Sequence, residues 1–139
     1  LKGTDVLILN KEEAKLLLGT KNNEIKFLLK KIKEKVKEIV VITEGAKGIH
    51  AYDGVLMYTM PAHQVKVVHT AGAGDAFNSG FLTGLVKAKK IEEAIELGMA
   101  EAASVIQHYG AKKGLMSYNQ ALQFIKKHKK KITKKRLIC

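Results

Sequence analysis

Five consecutive residues, Ile39 to Thr43 (IVVIT), are apolar on both faces, a pattern a strand carries where layers cover its sheet on each side. Asp5 to Leu9 (DVLIL) is a similar β-branched run. Between them, apolar residues recur at helical spacing. Ala14, Leu17 and Leu18 follow Asn10 and stop at Gly19, and Ile25, Leu28, Leu29, Ile32 and Val36 follow Asn23 with lysines between them. Strand, helix, strand is a crossover unit, so the chain is expected to build a layered α/β domain.

The remaining segments extend this pattern. Ile49 to Tyr52 and Val55 to Thr59 flank Asp53-Gly54, a pair suited to a tight hairpin turn. Val65 to Val68 reads as a further short strand leading into a helix with Phe77, Phe81 and Leu85 at four-residue spacing, where Gly80 and Gly84 permit a close neighbour. A second helix spans Ile91 to Gln107 and is ended by Gly110, and Ser117 with Gln120 forms a capping box for a last helix running into lysines.

With 139 residues the chain can bury one core, and its longest uncharged stretches fall short of the ~18 apolar residues of a membrane span. A soluble protein is expected. The lone Cys139 allows no internal disulfide, in keeping with a reducing cytoplasm, and His50, His63, His69, His108 and His128 show no zinc spacing. Lys and Arg outnumber Asp and Glu by 25 to 13, a formal charge of +12, yet Lys126 to Arg136 holds eight of the cations, and without that run the charge is +4. The division expected is therefore a domain over residues 1–125 and a basic tail over 126–139. No aromatic residues are interleaved with those cations to stack on bases, so a solvated tail is favoured over a nucleic-acid contact.

Chemistry is concentrated at Gly72-Ala73-Gly74-Asp75. A glycine-rich turn entering a helix aims backbone N–H groups and the positive helix end at one point, which suits an anion. The turn lacks the Gly-Lys-Ser/Thr of a P-loop, and Gly72-x-Gly74-x-x-Phe77 lacks the third glycine of a dinucleotide fingerprint. Asp75 can be merely the N-cap of that helix with the glycines a turn, or it can accept a hydroxyl proton while the N–H groups of Ala73, Gly74 and Asp75 hold charge developing on a phosphoryl group.

The stretch Val68-His69-Thr70-Ala71-Gly72-Ala73-Gly74-Asp75-Ala76-Phe77 closely resembles the second signature of the ribokinase-like (PfkB) carbohydrate kinases, Asp-Thr-x-Gly-Ala-Gly-Asp. In the family's order, Asn10-Lys11-Glu12-Glu13 looks like its Asn-x-x-Glu, and Thr43-Glu44-Gly45-Ala46-Lys47-Gly48 looks like its Thr-x-Gly-x-x-Gly. The resemblance implies a ribokinase-like three-layer α/β/α fold with a mainly parallel sheet, of which this chain is the C-terminal, nucleotide-binding half. It implies ATP and Mg2+ as cofactors, Asp75 as catalytic base, and Gly72, Ala73 and Gly74 as the anion hole. Asn10 and Glu13 would position magnesium through water, and Thr43, Gly45 and Gly48 would lie against ATP. Met99, Ala102 and Ala103 match the region lining the adenine slot in relatives. Purely structural roles exist for each group: a capping box for Asn10 and Glu13, a strand-ending turn for 43–48, core packing for 99–103.

His69 stands where the signature has Asp, and an imidazole is a poor ligand for potassium, which argues against activation by a monovalent cation. Family members are longer, and the resemblance begins in their middle. The expectation is a kinase acting on a hydroxymethyl group of a sugar, sugar acid or nucleoside, with the substrate-gripping N-terminal half of the protein missing, little turnover by the 139 residues alone, and an apolar sheet edge prone to homo-oligomerise. Two other functions remain open: a basic polyanion or nucleic-acid binding module, and a kinase of a vitamin precursor such as hydroxymethylpyrimidine.

Overall fold

The computed structural model describes residues 3–108 and 116–137. Gly110 and Cys139 lie outside the described residues. The chain divides into two compact units, Leu1–Pro61 with Ile132–Cys139, and Ala62–Lys131.

The first unit is a sheet with helices on one face. Strand β1 (Val6–Asn10) leads directly into helix α1 (Lys11–Leu18), followed by α2 (Ile25–Lys33) and β2 (Ile39–Thr43). The start of α1 is fixed locally. The Asn10 side chain accepts the Glu13 N–H at 2.8 Å and Glu13 accepts the Asn10 N–H at 2.8 Å, so two orphan donors are satisfied reciprocally. Helix α2 buries Leu28, Leu29 and Ile32 against Val40, Ile42, Tyr52 and Ala14, with Lys26 and Lys31 exposed and Lys33 Nζ donating to Val36 O and Lys37 O. Each such buried aliphatic side chain contributes about 1.5–3 kcal/mol, which offsets the weak helical tendency of so short a segment.

β1 and β2 pair in parallel, from Val6 opposite Ile39 to Asn10 opposite Thr43. β3 (Ile49–Tyr52) and β4 (Leu56–Met60) follow as antiparallel neighbours, and the sheet order is β1-β2-β3-β4-β5. Among the described residues one strand pair of four is therefore parallel; the mainly parallel sheet is the expectation for the whole ribokinase-like fold, of which these residues are a part. The connections from β2 to β3 and from β3 to β4 are too short for crossovers, which leaves only hairpins. The second hairpin turns over three residues rather than two, because the Asp53 carboxylate accepts both Val55 N–H and Leu56 N–H at 2.8 Å and draws Val55 into the turn.

β5 (Thr133–Arg136) pairs antiparallel with β4, from Leu56 opposite Arg136 to Thr59 opposite Thr133. Part of the run expected as a basic tail is thus a strand. Its side chains are all exposed, as a charged run should be, and its backbone is held by the β4 ladder and by the Leu137 N–H bonded to Val55 O at 3.2 Å. Leu137 packs against the buried cluster beneath α2 and supplies the apolar anchor that Thr133–Arg136 lack.

The second unit is helical: α3 (Ala73–Lys87), α4 (Ile91–Ile106) and α5 (Tyr118–Lys127). An added Cβ at Gly80 would lie 2.6 Å from Leu97 O and 2.9 Å from Gly98 Cα, so glycine is what lets α3 and α4 pack nearly backbone to backbone. Phe77 and Phe81 are buried and stacked at 5.7 Å between centroids. Ser117 and Gln120 form the expected capping box on α5. The strand expected at Val65–Val68 is absent. A strand needs a ladder partner; here the N–H groups of Val68 and His69 both bond Ile106 O, at 2.7 and 3.1 Å, and Val67 and Val68 are about half exposed.

Candidate active site

In the first unit the residues singled out by sequence converge on one edge of the sheet. Asn10 and Thr43 end adjacent parallel strands and face each other in register, and the positive end of α1 begins at the next residue. The C-terminal edge of parallel strands is where α/β folds bind ligands. Beyond Thr43 the chain makes a tight turn over Gly45–Lys47, closed by Glu44 N–H to Gly48 O at 2.8 Å and Lys47 N–H to Glu44 O at 3.1 Å. Gly48 has φ 96° and is buried, a conformation a side chain would strain, and nothing lies within 4 Å of a Cβ built on Gly45. The space beside Gly45 is open to an approaching ligand.

Asn10 and Glu13 are exposed and already joined as a capping box. The box engages one Glu13 carboxylate oxygen, Oε2, and the Asn10 carbonyl oxygen retains a second lone pair. That donor set fits a hydrated magnesium ion held through its waters better than direct coordination, since Mg2+ keeps several waters in most protein sites. Among the described residues no group of three or more His, Cys, Asp or Glu is placed to hold a metal ion.

Sequence reasoning missed Glu44. Its Oε1 lies 2.8 Å from His50 Nε2 and its Oε2 lies 3.3 Å from Lys11 Nζ, while His50 Nδ1 lies 3.1 Å from Thr59 Oγ1. Burial works most strongly against ionisation of this carboxyl, yet the hydrogen bonds and attraction from His50 and Lys11 together hold it below the usual carboxylate range. The available signal was a charged residue at the end of an otherwise apolar strand.

In the second unit Gly72 caps α3 with φ 83°, and the Ala76 N–H to Gly72 O bond at 2.9 Å starts the helical ladder. Ala73 N–H already bonds Thr70 O at 3.3 Å. That leaves Gly74 and Asp75, the second and third helical residues, whose N–H groups have no partner a turn back along the helix. Asp75 is exposed on this first turn, and Gly74 has nothing within 4 Å of a built Cβ. His69 Nδ1 accepts the Ala71 N–H at 3.1 Å, the turn-closing bond an Asp carboxylate would make there. The glycine register of α3 on α4, with Gly80 against Leu97 and Gly98, runs antiparallel and puts the end of α4 level with this turn. On that stretch of α4, Met99 and Ala103 are buried and Ala102 is half-buried, so of these three Ala102 keeps appreciable surface.

The first unit thus carries a strand-edge glycine turn, and the second a glycine-capped helix with an exposed carboxylate on its first turn. The description "pfkB family carbohydrate kinase" matches residues 1–117. The chain is 38% identical over 115 residues to an uncharacterized sugar kinase of Archaeoglobus fulgidus, covering 83% of this chain and 45% of that protein. It superposes on the crystal structure of ribokinase from Thermotoga maritima with a TM-score of 0.80 at 28% identity, over 88% of this chain and 42% of that one. A nucleoside kinase from Methanocaldococcus jannaschii, an archaeal member of the ribokinase family, superposes with a TM-score of 0.74 at 30% identity, over 90% of this chain and 40% of that one. The chain belongs to the pfkB family of carbohydrate kinases and has part of the ribokinase fold; it spans less than half the length of these relatives.

Proposed function

We propose that these residues are the nucleotide-binding portion of an ATP-dependent kinase that phosphorylates a hydroxymethyl group of a sugar or nucleoside. Residues 1–125 are the part of the kinase domain that does so. The observation that carries the reading is Asp75: an exposed carboxylate on the same helical turn as two backbone amides with no helical acceptor. A base beside an anion hole is what transfer of a phosphoryl group to an alcohol requires, since the alcohol must lose its proton as charge builds on the phosphate oxygens. The Asp75 carboxylate accepts that proton. The N–H groups of Gly74 and Asp75 hold the developing charge, with Gly72 setting the turn and Ala73 fixing it to Thr70.

ATP with Mg2+ supplies the phosphoryl group and neutralises its oxygens. Asn10 and Glu13 hold the ion's waters, the open space at Gly45 with Thr43 and Gly48 receives the nucleotide, and the Met99–Ala103 stretch of α4 lines the adenine through Ala102. His69 closes the signature turn with its ring nitrogen, and with no carboxylate at that position the protein works without a monovalent cation. The acceptor is gripped by the segment the longer relatives carry beyond the matched stretch, so the 139 residues alone turn over little.

The test is Asp75→Asn in the full-length protein. We expect kcat to fall ~10²–10⁴-fold, the usual contribution of a positioned base, with the Kd for Mg-ATP within about threefold. Activity within a few fold of the wild type removes Asp75 from the role of base.

A further inference from the structure

The Glu44 bridge lies between the two features of the first unit to which nucleotide and metal are assigned. It leaves the chain between Thr43 and Gly45, inside the glycine turn, and reaches Lys11, the first residue of α1, which follows Asn10 directly. The link spans 33 positions of sequence, so no local propensity makes it. The other carboxylate oxygen is held by His50 on β3, whose second ring nitrogen engages Thr59 on β4. A carboxylate at 2.8 Å from Nε2 requires that nitrogen to carry the proton, so the imidazole is a fixed donor whatever the state of Nδ1. The Glu44 side chain is only 11% exposed, which shields these contacts from the screening that makes surface ion pairs weak.

We infer that Glu44 is a positioning residue that ties the Gly45–Gly48 turn to the start of α1, so that the nucleotide turn and the Asn10–Glu13 pair act as one rigid unit. The inference rests on the reading under Proposed function. Without the bridge, each half keeps its own geometry: the turn retains its Glu44 N–H to Gly48 O bond and α1 retains its capping box. What is lost is their mutual registration. The consequence is specific. Binding of the free nucleotide does not draw on the Asn10–Glu13 pair and survives, whereas the strengthening of nucleotide binding by Mg2+ draws on the turn and that pair together and falls.

The experiment measures ADP affinity of the full-length protein by calorimetry with and without Mg2+, for wild type, Glu44→Ala, Glu44→Gln, Lys11→Met and the Lys11→Met/Glu44→Ala double variant. We expect Mg2+ to tighten ADP binding in the wild type, and Glu44→Ala to reduce that enhancement about tenfold while Mg-free affinity stays within about twofold. Lys11→Met should share the defect, and the double variant should be no worse than Glu44→Ala, because both changes cut one bridge. Glu44→Gln, which keeps an acceptor for His50 but loses the charge facing Lys11, should fall between. An enhancement unchanged in a folded Glu44→Ala, or equal losses with and without Mg2+, overturns the inference and leaves the kinase reading intact. Wild-type protein that binds no ADP under either condition overturns that reading and the inference with it.

Discussion

Replacing Gly80 by alanine isolates the energetics of the α3–α4 contact. Alanine gains about 1 kcal/mol over glycine in a helix interior, so an open site would be stabilised. The site is closed. The new Cβ would stand 2.6 Å from Leu97 O and 2.9 Å from Gly98 Cα, both backbone atoms of the facing helix, which no rotamer change can move aside. Overpacking of this kind costs about 1–3 kcal/mol, and two backbone contacts argue for the upper end, ~3 kcal/mol. The net is a loss of ~2 kcal/mol. For a cooperative chain of 139 residues ~1 kcal/mol moves Tm by about 4 °C, so a drop of roughly 8 °C is expected in far-UV circular dichroism melts. Gly74→Ala is the matched control, on the same helix with nothing within 4 Å of its Cβ. It should leave Tm unchanged or slightly higher. A Gly80→Ala protein that melts at or above the Gly74→Ala temperature refutes the account of how these helices pack.

His63 is buried with both ring nitrogens lacking a partner among the described residues, and burial first, then the nearby positive charges of His128 and Lys130, hold its pKa below the ordinary histidine value. The unfolded chain therefore takes up a proton near pH 6.5 that the folded chain refuses, and stability present above that pH declines as pH falls toward the depressed folded value. Urea unfolding at pH 7.5 and 5.5 should show a loss in the wild type that is smaller in His63→Phe; equal losses would remove His63 as the cause. Glu96 and Glu101, whose carboxyls burial pushes up, favour the folded state as they take up protons, and the difference between the two proteins cancels their effect. The isolated 139-residue chain should also self-associate, because β1 has a sheet neighbour on only one side among the described residues and carries apolar Val6, Leu7, Ile8 and Leu9. Light scattering that shows a clean monomer at tens of micromolar would count against this.

Features set by near neighbours along the chain are legible in the sequence itself. Asn10 and Glu13 lie three apart and cap α1 whatever surrounds them, and the two-faced apolar run of β2 could only be an interior strand. Placement of the signature turn at the head of α3 follows from the same kind of local grammar. Misreadings arise where a distant partner decides. Val65–Val68 has strand composition but no ladder to join, and Thr133–Arg136 lacks strand composition but is held beside β4 through Leu137. Likewise, Glu44 carries no pattern that announces Lys11 and His50; only the fold brings a strand end, a helix start and a hairpin to one carboxylate. The mainly parallel sheet is an inference from kinship, and three of the strand pairs among the described residues are antiparallel.

The composition of β5 gives the sheet a direction of growth. A further strand arriving on that side would have to settle among Lys134, Lys135 and Arg136, and a second copy of the same edge would set cation against cation. Repulsion there costs nothing in the folded protein, where all four side chains face water. Any additional strand, from the same polypeptide or another, is thereby steered to the opposite border beside Val6–Asn10.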